Sequence, residues 1–342
     1  MLKKIIKVLI VDDSVIFRET LSRGISKDPN IMVVATAVDP FDARDKLLQY
    51  EPDVMTLDVE MPKMNGIEFL KRLLPQYPIP VVVVSSTNMN VFDALKAGAV
   101  DYVAKPSSGS TTNVDGLINE LIVKIKIAST SKVGHVKNNL VTSETVNVPS
   151  DARKMIIAIG ASTGGTEAIF GIIKQFPPNM PGVVIVQHMP PVFTKMYAER
   201  LNNSCAMEVK EAQTGDLIIN GRVLIAPGGF HMKVKKINDK YIVECVKSEL
   251  VNGHCPSVDV LFNSVADCVG KNAIGVILTG MGYDGAKGLL NMRKKGAITI
   301  GQDEQSCVVY GMPKVAYDIG AVEKQARLDE ISKIISLILN KG

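Results

Sequence analysis

The stretch that decides the fold of the second half of the chain is IAIGASTGGTEAI, residues 157–169. It begins with an apolar run, continues through glycines on both sides of Ser162, and ends in a helical pattern. Such a run predicts a buried strand, a tight turn and a helix. Two chemistries use a turn of this kind. A glycine-rich loop can cradle a phosphate, and Gly160–Gly164 also matches G-x-S-x-G, which exposes a serine nucleophile.

The phosphate-binding interpretation lacks its usual partner residues. A dinucleotide-binding fold has an acidic side chain about 20 residues after the glycines. The next strand, GVVIVQHMPP, instead ends in Gln187 and His188, with no carboxylate nearby. A P-loop requires Gly-Lys-Ser/Thr, and GGTEA contains no lysine. The sequence therefore favours a serine nucleophile.

A serine nucleophile needs a histidine base and a carboxylate, and we expect both at the ends of other strands. His188 directly follows the strand that comes after the one beginning at Met155. Asp284 lies in a glycine-rich loop after the buried run in NAIGVILTGMGYDGA. These positions predict that Ser162, His188 and Asp284 meet at one edge of a sheet.

A second set of residues is also compatible with the sequence. In the α/β-hydrolases the acid lies between the serine and the histidine in chain order. The residues that satisfy this order are Ser162, Asp216 and either His231 or His254. Both sets predict the same class of reaction.

The first half of the chain alternates β-branched and amphipathic stretches from Lys7 to about Ala128. The strand-like runs are 7–11, 31–37, 53–58, 80–85 and 100–105, and the last helix is predicted at 113–128. This alternation predicts a five-stranded parallel sheet with helices on both faces, which is a flavodoxin-like fold.

Polar side chains follow the strands of this first sheet. They are Asp12 and Asp13 after the first strand, Asp58 after the third, Ser85 after the fourth and Lys105 after the fifth. Carboxylates at one crevice repel each other unless a hard cation neutralises them, and Mg²⁺ suits such oxygen ligands. A lysine adds a point charge for an incoming phosphoryl group, to which a serine hydroxyl can bond. The first half therefore predicts a magnesium-dependent phosphorylation site.

The two halves are separated by a polar segment, so we predict domains at 1–128 and 153–342 with a flexible linker at 129–152. The strands of the second half are predicted at 155–160, 183–187, 222–226, 273–279 and 297–301. Residues 231–246 alternate about an Asn-Asp turn, which indicates an antiparallel hairpin. We expect a doubly wound α/β domain with this hairpin added.

Composition excludes several other classes of protein. Charged residues make up 22% of the 342 positions, with a net charge of +4 and no basic run, which argues against nucleic-acid binding. The apolar run near the start ends at Asp12, and no apolar stretch approaches the roughly 18 residues of a membrane helix. The five scattered cysteines form no zinc-binding pattern. We expect a cytoplasmic protein that is not inserted in a membrane.

Four motifs of the first half, VLIVDDS, VMTLDVEMPKMNGIEFL, VVVVSS and AGAVDYVAKP, resemble the receiver domain of two-component response regulators. The resemblance implies that Asp58 is the phosphoacceptor and that a histidine kinase is the phosphodonor. It implies that Mg²⁺ is held by Asp12, Asp13 and Asp58 with the backbone carbonyl of Glu60. It also implies a switch hydroxyl at Ser85 or Ser86, a reorienting aromatic at Tyr102 and a phosphate-pairing lysine at Lys105.

Five motifs of the second half resemble the catalytic domain of chemotaxis protein-glutamate methylesterases, in which a receiver domain comes first. They are IAIGASTGGTEAI, VIVQHMPPVFT, APGGFHM, VILTGMGYDGAKGL and QDEQSCVVYGMP. The resemblance implies a Ser162–His188–Asp284 triad. It also implies an oxyanion-stabilising backbone N–H at Met281, with Thr163 next to the nucleophile.

The activity implied by this resemblance is the hydrolysis of glutamate methyl esters, and the deamidation of some glutamines, on the cytoplasmic helices of chemoreceptors. Phosphorylation of the receiver would activate it, and the catalytic half would need no metal. The alternative from another class is a response regulator whose second half only binds a ligand or another protein.

Overall fold

The computed structural model describes residues 5–61, 64–85, 90–105, 114–132 and 155–341. The chain divides into two compact units, Met1–His135 and Val136–Gly342. Residues 133–152 of the predicted linker lie outside the described residues, as does Ser86. The predicted domain limits therefore stay predictions.

The first unit is built around a five-stranded parallel sheet in the order β2-β1-β3-β4-β5. Its strands are β1 (Ile6–Val11), β2 (Ile31–Ala37), β3 (Val54–Leu57), β4 (Val81–Ser85) and β5 (Asp101–Ala104). Its helices are α1 (Val15–Ile25), α2 (Pro40–Tyr50), α3 (Gly66–Leu73), α4 (Val91–Lys96) and α5 (Val114–Ala128). This strand order is the flavodoxin-like one, and the predicted fold of the first half is confirmed.

Local sequence explains how helices begin at the carboxyl ends of the strands of this sheet. Ser14 precedes α1, and its hydroxyl accepts a hydrogen bond from the Phe17 N–H. Asp39 precedes α2, and its carboxylate accepts from the N–H groups of Phe41 and Asp42. Such side-chain caps satisfy backbone donors that have no partner within the helix.

The second unit contains a seven-stranded parallel sheet in the order β14-β13-β12-β6-β7-β9-β8 and a separate hairpin of β10 and β11. Its strands are β6 (Ile156–Ala161), β7 (Gly182–Gln187), β8 (Glu208–Glu211), β9 (Arg222–Ile225), β10 (His231–Ile237), β11 (Lys240–Val246), β12 (Ala273–Ile277), β13 (Ile298–Gln302) and β14 (Lys324–Ala326). Its helices are α6 (Gly165–Ile173), α7 (Phe193–Asn202), α8 (Val258–Cys268), α9 (Ala286–Lys294), α10 (Met312–Asp318) and α11 (Leu328–Lys341). The predicted doubly wound domain with an added hairpin is confirmed.

The path of the chain places the turn after β6 at the centre of this sheet. From β6 the chain runs outward through β7, and it later returns to the other side of β6 to form β12. The order of the strands therefore reverses at β6. In open α/β sheets, ligands bind at such a reversal, beyond the carboxyl ends of the strands. Among the described residues, no helix combines the length and apolar character that a membrane crossing requires.

Candidate active site and phosphoacceptor site

Ser162 and His188 begin the loops that follow two neighbouring strands. The last residues of these strands, Ala161 and Gln187, are partners in the register of β6 with β7. The N–H of His188 donates to the carbonyl of Ala161 at 3.1 Å. The register therefore brings the serine and the histidine to the same edge of the sheet.

The turn that carries Ser162 is closely packed. Gly164 precedes α6 with a φ of +76°, a conformation that glycine adopts without steric cost. A Cβ atom on Gly165 would lie 2.1 Å from Oε1 of Gln187 and 2.6 Å from the Ala161 Cβ, so a larger residue would force the turn or its neighbours to shift. The Gln187 amide donates to the Ser162 carbonyl at 2.9 Å. The turn is thereby tied to the end of β7.

Asp284 comes from the loop after β12, on the other side of β6, and its carboxylate contacts His188. The distance from His188 Nε2 to Asp284 Oδ2 is 2.8 Å. Asp284 is buried, with 2% of its surface exposed. The structure therefore brings together two of the three residues that the sequence predicts for a triad, beside the turn that carries the third.

Asp284 is held by a dense set of hydrogen bonds. The other donors to its oxygens are Ser257 Oγ at 2.7 Å, Asn252 Nδ2 at 2.7 Å, the Val258 N–H at 2.7 Å and the Asp259 N–H at 3.2 Å. Burial raises the pKa of this carboxyl, but the hydrogen bonds from His188, Asn252 and Ser257 outweigh burial and leave the pKa well below its usual value. Asp284 is therefore ionised at neutral pH.

The second ring nitrogen of His188, Nδ1, is buried and makes no hydrogen bond with any residue that the structure describes. Nε2 is already occupied by Asp284. Nδ1 is therefore the nitrogen that can exchange a proton with a nearby hydroxyl group.

His254 stacks on His188, with ring centroids 3.6 Å apart and an angle of 14° between the rings. Burial, and then the neighbouring His188, lower the pKa of His254 to about 4. His254 is therefore neutral at physiological pH and covers one face of the His188 ring.

Two residues of the alternative set, Asp216 and His231, bond to other parts of the chain. Asp216 pairs with Lys210 at 2.9 Å and accepts from the Gln213 N–H at 2.7 Å. Both ring nitrogens of His231 bond to the backbone, Nε2 with the carbonyl of Glu249 at 2.9 Å and Nδ1 with the N–H of Ser257 at 3.1 Å. Asp216 and His231 are thus engaged with other groups, whereas His254, the other histidine of this set, stacks on His188.

The predicted oxyanion-stabilising residues both adjoin Ser162. A Cβ atom on Gly280 would lie 2.6 Å from the Ser162 Cβ, so the loop through Gly280 and Met281 passes directly against the serine. The Met281 N–H makes no hydrogen bond within the described part of the chain. The carbonyl of Thr163 accepts from the Thr279 hydroxyl at 3.0 Å, which ties the serine turn to the same loop. One free N–H group is thus available beside Ser162.

In the first unit, the predicted phosphorylation residues meet at the carboxyl ends of β1, β3 and β5. Asp12, Asp13 and Asp58 each offer an oxygen, and these oxygens lie within 4.8 Å of one another. Lys105 Nζ is 2.7 Å from Asp12 and 2.5 Å from Asp58. The Glu60 N–H donates to the other Asp58 oxygen at 2.9 Å. Burial raises the pKa of Asp58, despite its hydrogen bonds with Lys105 and Glu60.

Ser85 and Tyr102 lie on the two strands next to this cluster. Ser85 ends β4, and its carbonyl accepts from the Lys105 N–H at 2.8 Å. Tyr102 is buried in β5, and burial raises its pKa well above the usual value. The ammonium group of Lys124 lies 4.7 Å from the centre of the Tyr102 ring and pairs with Asp101 at 3.0 Å.

Sequence reasoning missed four residues that support these two sites. They are Asn252 and Ser257, which bond to Asp284, Gln187, which ties the serine turn, and Lys124, which packs on Tyr102. Of these four, only Ser257 has a signal in the sequence, and it is weak. Ser257 directly precedes α8, a position where serine commonly caps a helix, and its hydroxyl accepts from the Val260 N–H.

Comparison with known proteins finds relatives of both units. The family model described as CheB methylesterase matches residues 157–335, and the response regulator receiver domain model matches residues 8–112. The chain is 60% identical to protein-glutamate methylesterase/protein-glutamine glutaminase 2 of Syntrophomonas wolfei, over 98% of both chains. It is 55% identical to the protein-glutamate methylesterase/protein-glutamine glutaminase of Syntrophotalea carbinolica, again over 98% of both.

A solved structure resembles the second unit. The CheB methylesterase catalytic domain of Thermotoga maritima is 39% identical, with a TM-score of 0.53, and the match covers 54% of this chain and 98% of that domain. The predicted resemblances of the two halves are thereby confirmed. With a receiver domain followed by a methylesterase domain, and with near-complete matches to its curated relatives, the chain belongs to the CheB methylesterase family.

Proposed function

We propose that the protein is a phosphorylation-regulated serine hydrolase that removes methyl groups from glutamate methyl esters on chemoreceptors and deamidates some receptor glutamines. Its relatives are named for this pair of activities. The observation that carries the proposal is the 2.8 Å contact between His188 and Asp284, at the sheet edge where the loop of Ser162 begins.

In the first half of the proposed reaction, the Ser162 hydroxyl attacks the γ-carbonyl of the glutamate ester. His188 accepts the hydroxyl proton at Nδ1, because Nε2 is engaged with Asp284. Asp284 holds the imidazole in this orientation and stabilises its protonated form. His188 then returns the proton to the departing methoxide, so that methanol leaves and an acyl-enzyme remains.

Negative charge develops on the carbonyl oxygen during this attack and must be stabilised. The free N–H of Met281 is the donor that we assign to it, with Thr163 next to the nucleophile at the start of α6. Donors fixed in place before the reaction are effective, because they need no reorganisation as the charge forms.

In the second half of the reaction, water attacks the acyl-enzyme and His188 accepts a proton from it. His188 returns this proton to the Ser162 oxygen as the ester bond breaks, which restores the enzyme. The released glutamic acid loses its own proton to solvent, and the receptor is left with an ionised glutamate. A glutamine substrate follows the same course with ammonia as the leaving group. The proposal therefore needs one acyl intermediate for both activities.

In the receiver unit we propose that Asp58 accepts a phosphoryl group from a histidine kinase. The clustered carboxylates of Asp12, Asp13 and Asp58, with the carbonyl of Glu60, form an oxygen donor set that fits Mg²⁺. Bound there, the cation would neutralise charge on the phosphoryl group. Lys105 would pair with the attached phosphoryl group, and Ser85 or Ser86 would donate a hydroxyl to it.

Regulation follows from this modification. We propose that the unphosphorylated receiver covers the catalytic residues, and that phosphorylation, with reorientation of Tyr102, shifts the population toward an open form. An isolated fragment of residues 153–342 should therefore be more active than the unphosphorylated full chain. Equal activity would remove the inhibitory role. We also propose a cytoplasmic location, because the receptor helices and the kinase that the reaction requires face the cytoplasm.

The test of the proposed function is methanol release from receptor membranes carrying a labelled methyl group, with and without a small phosphodonor. Replacement of Ser162 with alanine should lower the rate by at least about 10³-fold, since a nucleophile has no substitute. Ser204→Ala, on an exposed surface position, is the matched control and should act like the wild type. If Ser162→Ala keeps its activity, the second unit is a binding module rather than a hydrolase.

A further inference from the structure

The side-chain amide of Asn252 lies between two buried carboxylates. Its Nδ2 atom is 2.7 Å from Asp284 Oδ1 and 2.7 Å from Asp259 Oδ2. Asp284 and Asp259 are 2% and 5% exposed. An amide nitrogen has two N–H donors and an ionised carboxylate only accepts, so each carboxylate receives one of the two protons.

The two carboxylates need this neutral group between them. Their negative charges repel each other in a region that water barely reaches, and burial raises the pKa of Asp259. Asp259 is itself fixed, because its Oδ1 atom accepts from the Gly288 N–H at 2.6 Å. Asn252 is the one side chain in the described part of the chain that is hydrogen-bonded to both. Its amide therefore offsets the repulsion between the two carboxylates. It also bonds to Oδ1 of Asp284, so that Oδ2 faces Nε2 of His188.

The backbone at Asn252 does not depend on its side chain. Its φ is +54°, in the left-handed region that asparagine tolerates better than most residues. The turn is closed by two backbone hydrogen bonds between Val251 and His254, each of 3.0 Å. A glycine at this position would keep the turn and remove only the amide.

We propose that Asn252 is a positioning residue for the hydrolase: its amide holds the Asp284 carboxylate in the orientation that faces His188. The inference rests on the proposed function, since it assigns to Asn252 an effect on the same reaction. It extends that function by a residue that contacts neither the substrate nor the nucleophile.

The test compares two variants of the full chain in the methanol-release assay. Asn252→Gly removes both donors at a backbone angle that suits glycine, and Asn252→Asp keeps the shape but replaces the donors with acceptors. Loss of a hydrogen bond to a charged group predicts a fall in kcat of about 10- to 100-fold for Asn252→Gly. KM should stay within about twofold of the wild type, because the amide lies behind Asp284. The matched control is Asn238→Gly, which makes the same change at a φ of +46° in the exposed hairpin turn and should leave kcat unchanged.

The pH profile distinguishes positioning from a merely structural role. The titratable side chains that face Asp284 are His188, His254 and Asp259. Without the amide, the negative charge of Asp284 is less dispersed and holds a proton on the His188–Asp284 pair more firmly, so the acid limb of the kcat profile should move to higher pH in Asn252→Gly. In Asn252→Asp, kcat should be lowest near neutral pH and should partly recover as the pH falls, because a proton on the new carboxyl restores one donor.

The outcomes separate this inference from the function on which it rests. A wild-type chain that releases no methanol would overturn both. If the wild type is active and Asn252→Gly has a wild-type kcat, or if its kcat falls with an unshifted pH profile, only the positioning role is wrong. Should Asn252→Gly fold poorly by thermal unfolding, the pH response of Asn252→Asp decides the matter on its own.

Discussion

The ring of His254 lies flat against the ring of His188, 3.6 Å away between centroids. The pKa of His254 is lowered to about 4, first by burial and then by its neighbour. The two histidines therefore cannot both carry a proton easily. His254 acts as a neutral cover on the face of the residue that we propose as the general base.

This stacking predicts a loss of stability in mild acid. The pKa of His254 is lower in the folded chain than the usual 6.5, so its contribution is complete above that pH and is lost as the pH falls toward 4. We expect about 2 kcal/mol of unfolding free energy to disappear over this range, after allowing for partial exposure. His254→Phe keeps an aromatic ring on His188 but cannot titrate, so its urea-unfolding free energy should fall less between pH 6.5 and 4. The same fall in both proteins would contradict this prediction.

The carboxylate partner of His188 can be tested by an isosteric change. Asp284→Asn places an amide where five donors now meet an ionised carboxylate, and it should lower kcat by about 10⁴-fold, as expected when the imidazole loses its orienting acid. Asp216→Asn is the matched control, because Asp216 belongs to the alternative set and pairs with Lys210. Methanol release by both variants decides between the two sets. A large loss in Asp216→Asn with an active Asp284→Asn would reverse our assignment.

Two glycines in α6 should respond in opposite ways to alanine. At Gly165 the new methyl group would lie 2.1 Å from Gln187, so we expect a loss of about 1 to 3 kcal/mol of stability. We also expect a lower kcat, because Gln187 holds the Ser162 carbonyl. A Cβ atom on Gly171 would meet nothing within 4 Å outside the backbone of its own helix, so alanine should stabilise the helix by about 0.5 to 1 kcal/mol. Thermal unfolding of both variants measures the difference, and similar effects at the two sites would argue against the packing described here.

Val192, just before α7, has a backbone conformation that valine rarely adopts. Its φ is +75° and ψ is −47°, and its side chain is 59% exposed, so little packing compensates for the strain. Val192→Gly should relieve a backbone strain of about 1 to 3 kcal/mol. The greater freedom of glycine in the unfolded chain costs up to about 1 kcal/mol, so the variant should be more stable than the wild type. Val192→Ala keeps a Cβ atom and should not be stabilised. Equal unfolding temperatures for the two variants would show that Val192 is not strained.

The strands and the principal site residues could be predicted because both follow from local patterns. Buried runs such as 182–187 form strands, and the polar residue that follows each run must lie at the carboxyl edge of the sheet. This rule predicts His188 and Asp284 at one edge of the sheet, where the structure shows them in contact. The receiver residues Asp12 and Asp58 follow the same rule.

The features that could not be predicted depend on contacts between distant parts of the chain. Strands β8 and β14, EVKE and KQA, have no apolar run, and they form because a neighbouring strand offers backbone partners at the edge of the sheet. Asn252 meets Asp284 only after α8 and the loop after β12 have packed together. The stack of His254 on His188 likewise has no spacing pattern in the sequence.

The position of β6 between β7 and β12 has a consequence for the newly made protein. During translation the receiver emerges first and can form its whole sheet, since every strand of that sheet precedes the second unit. The second unit cannot complete its centre until β12 has been synthesised and inserted beside β6. A ribosome-bound chain that stops short of Asp284 therefore already carries the receiver, and it lacks one member of the proposed triad until synthesis has passed that residue.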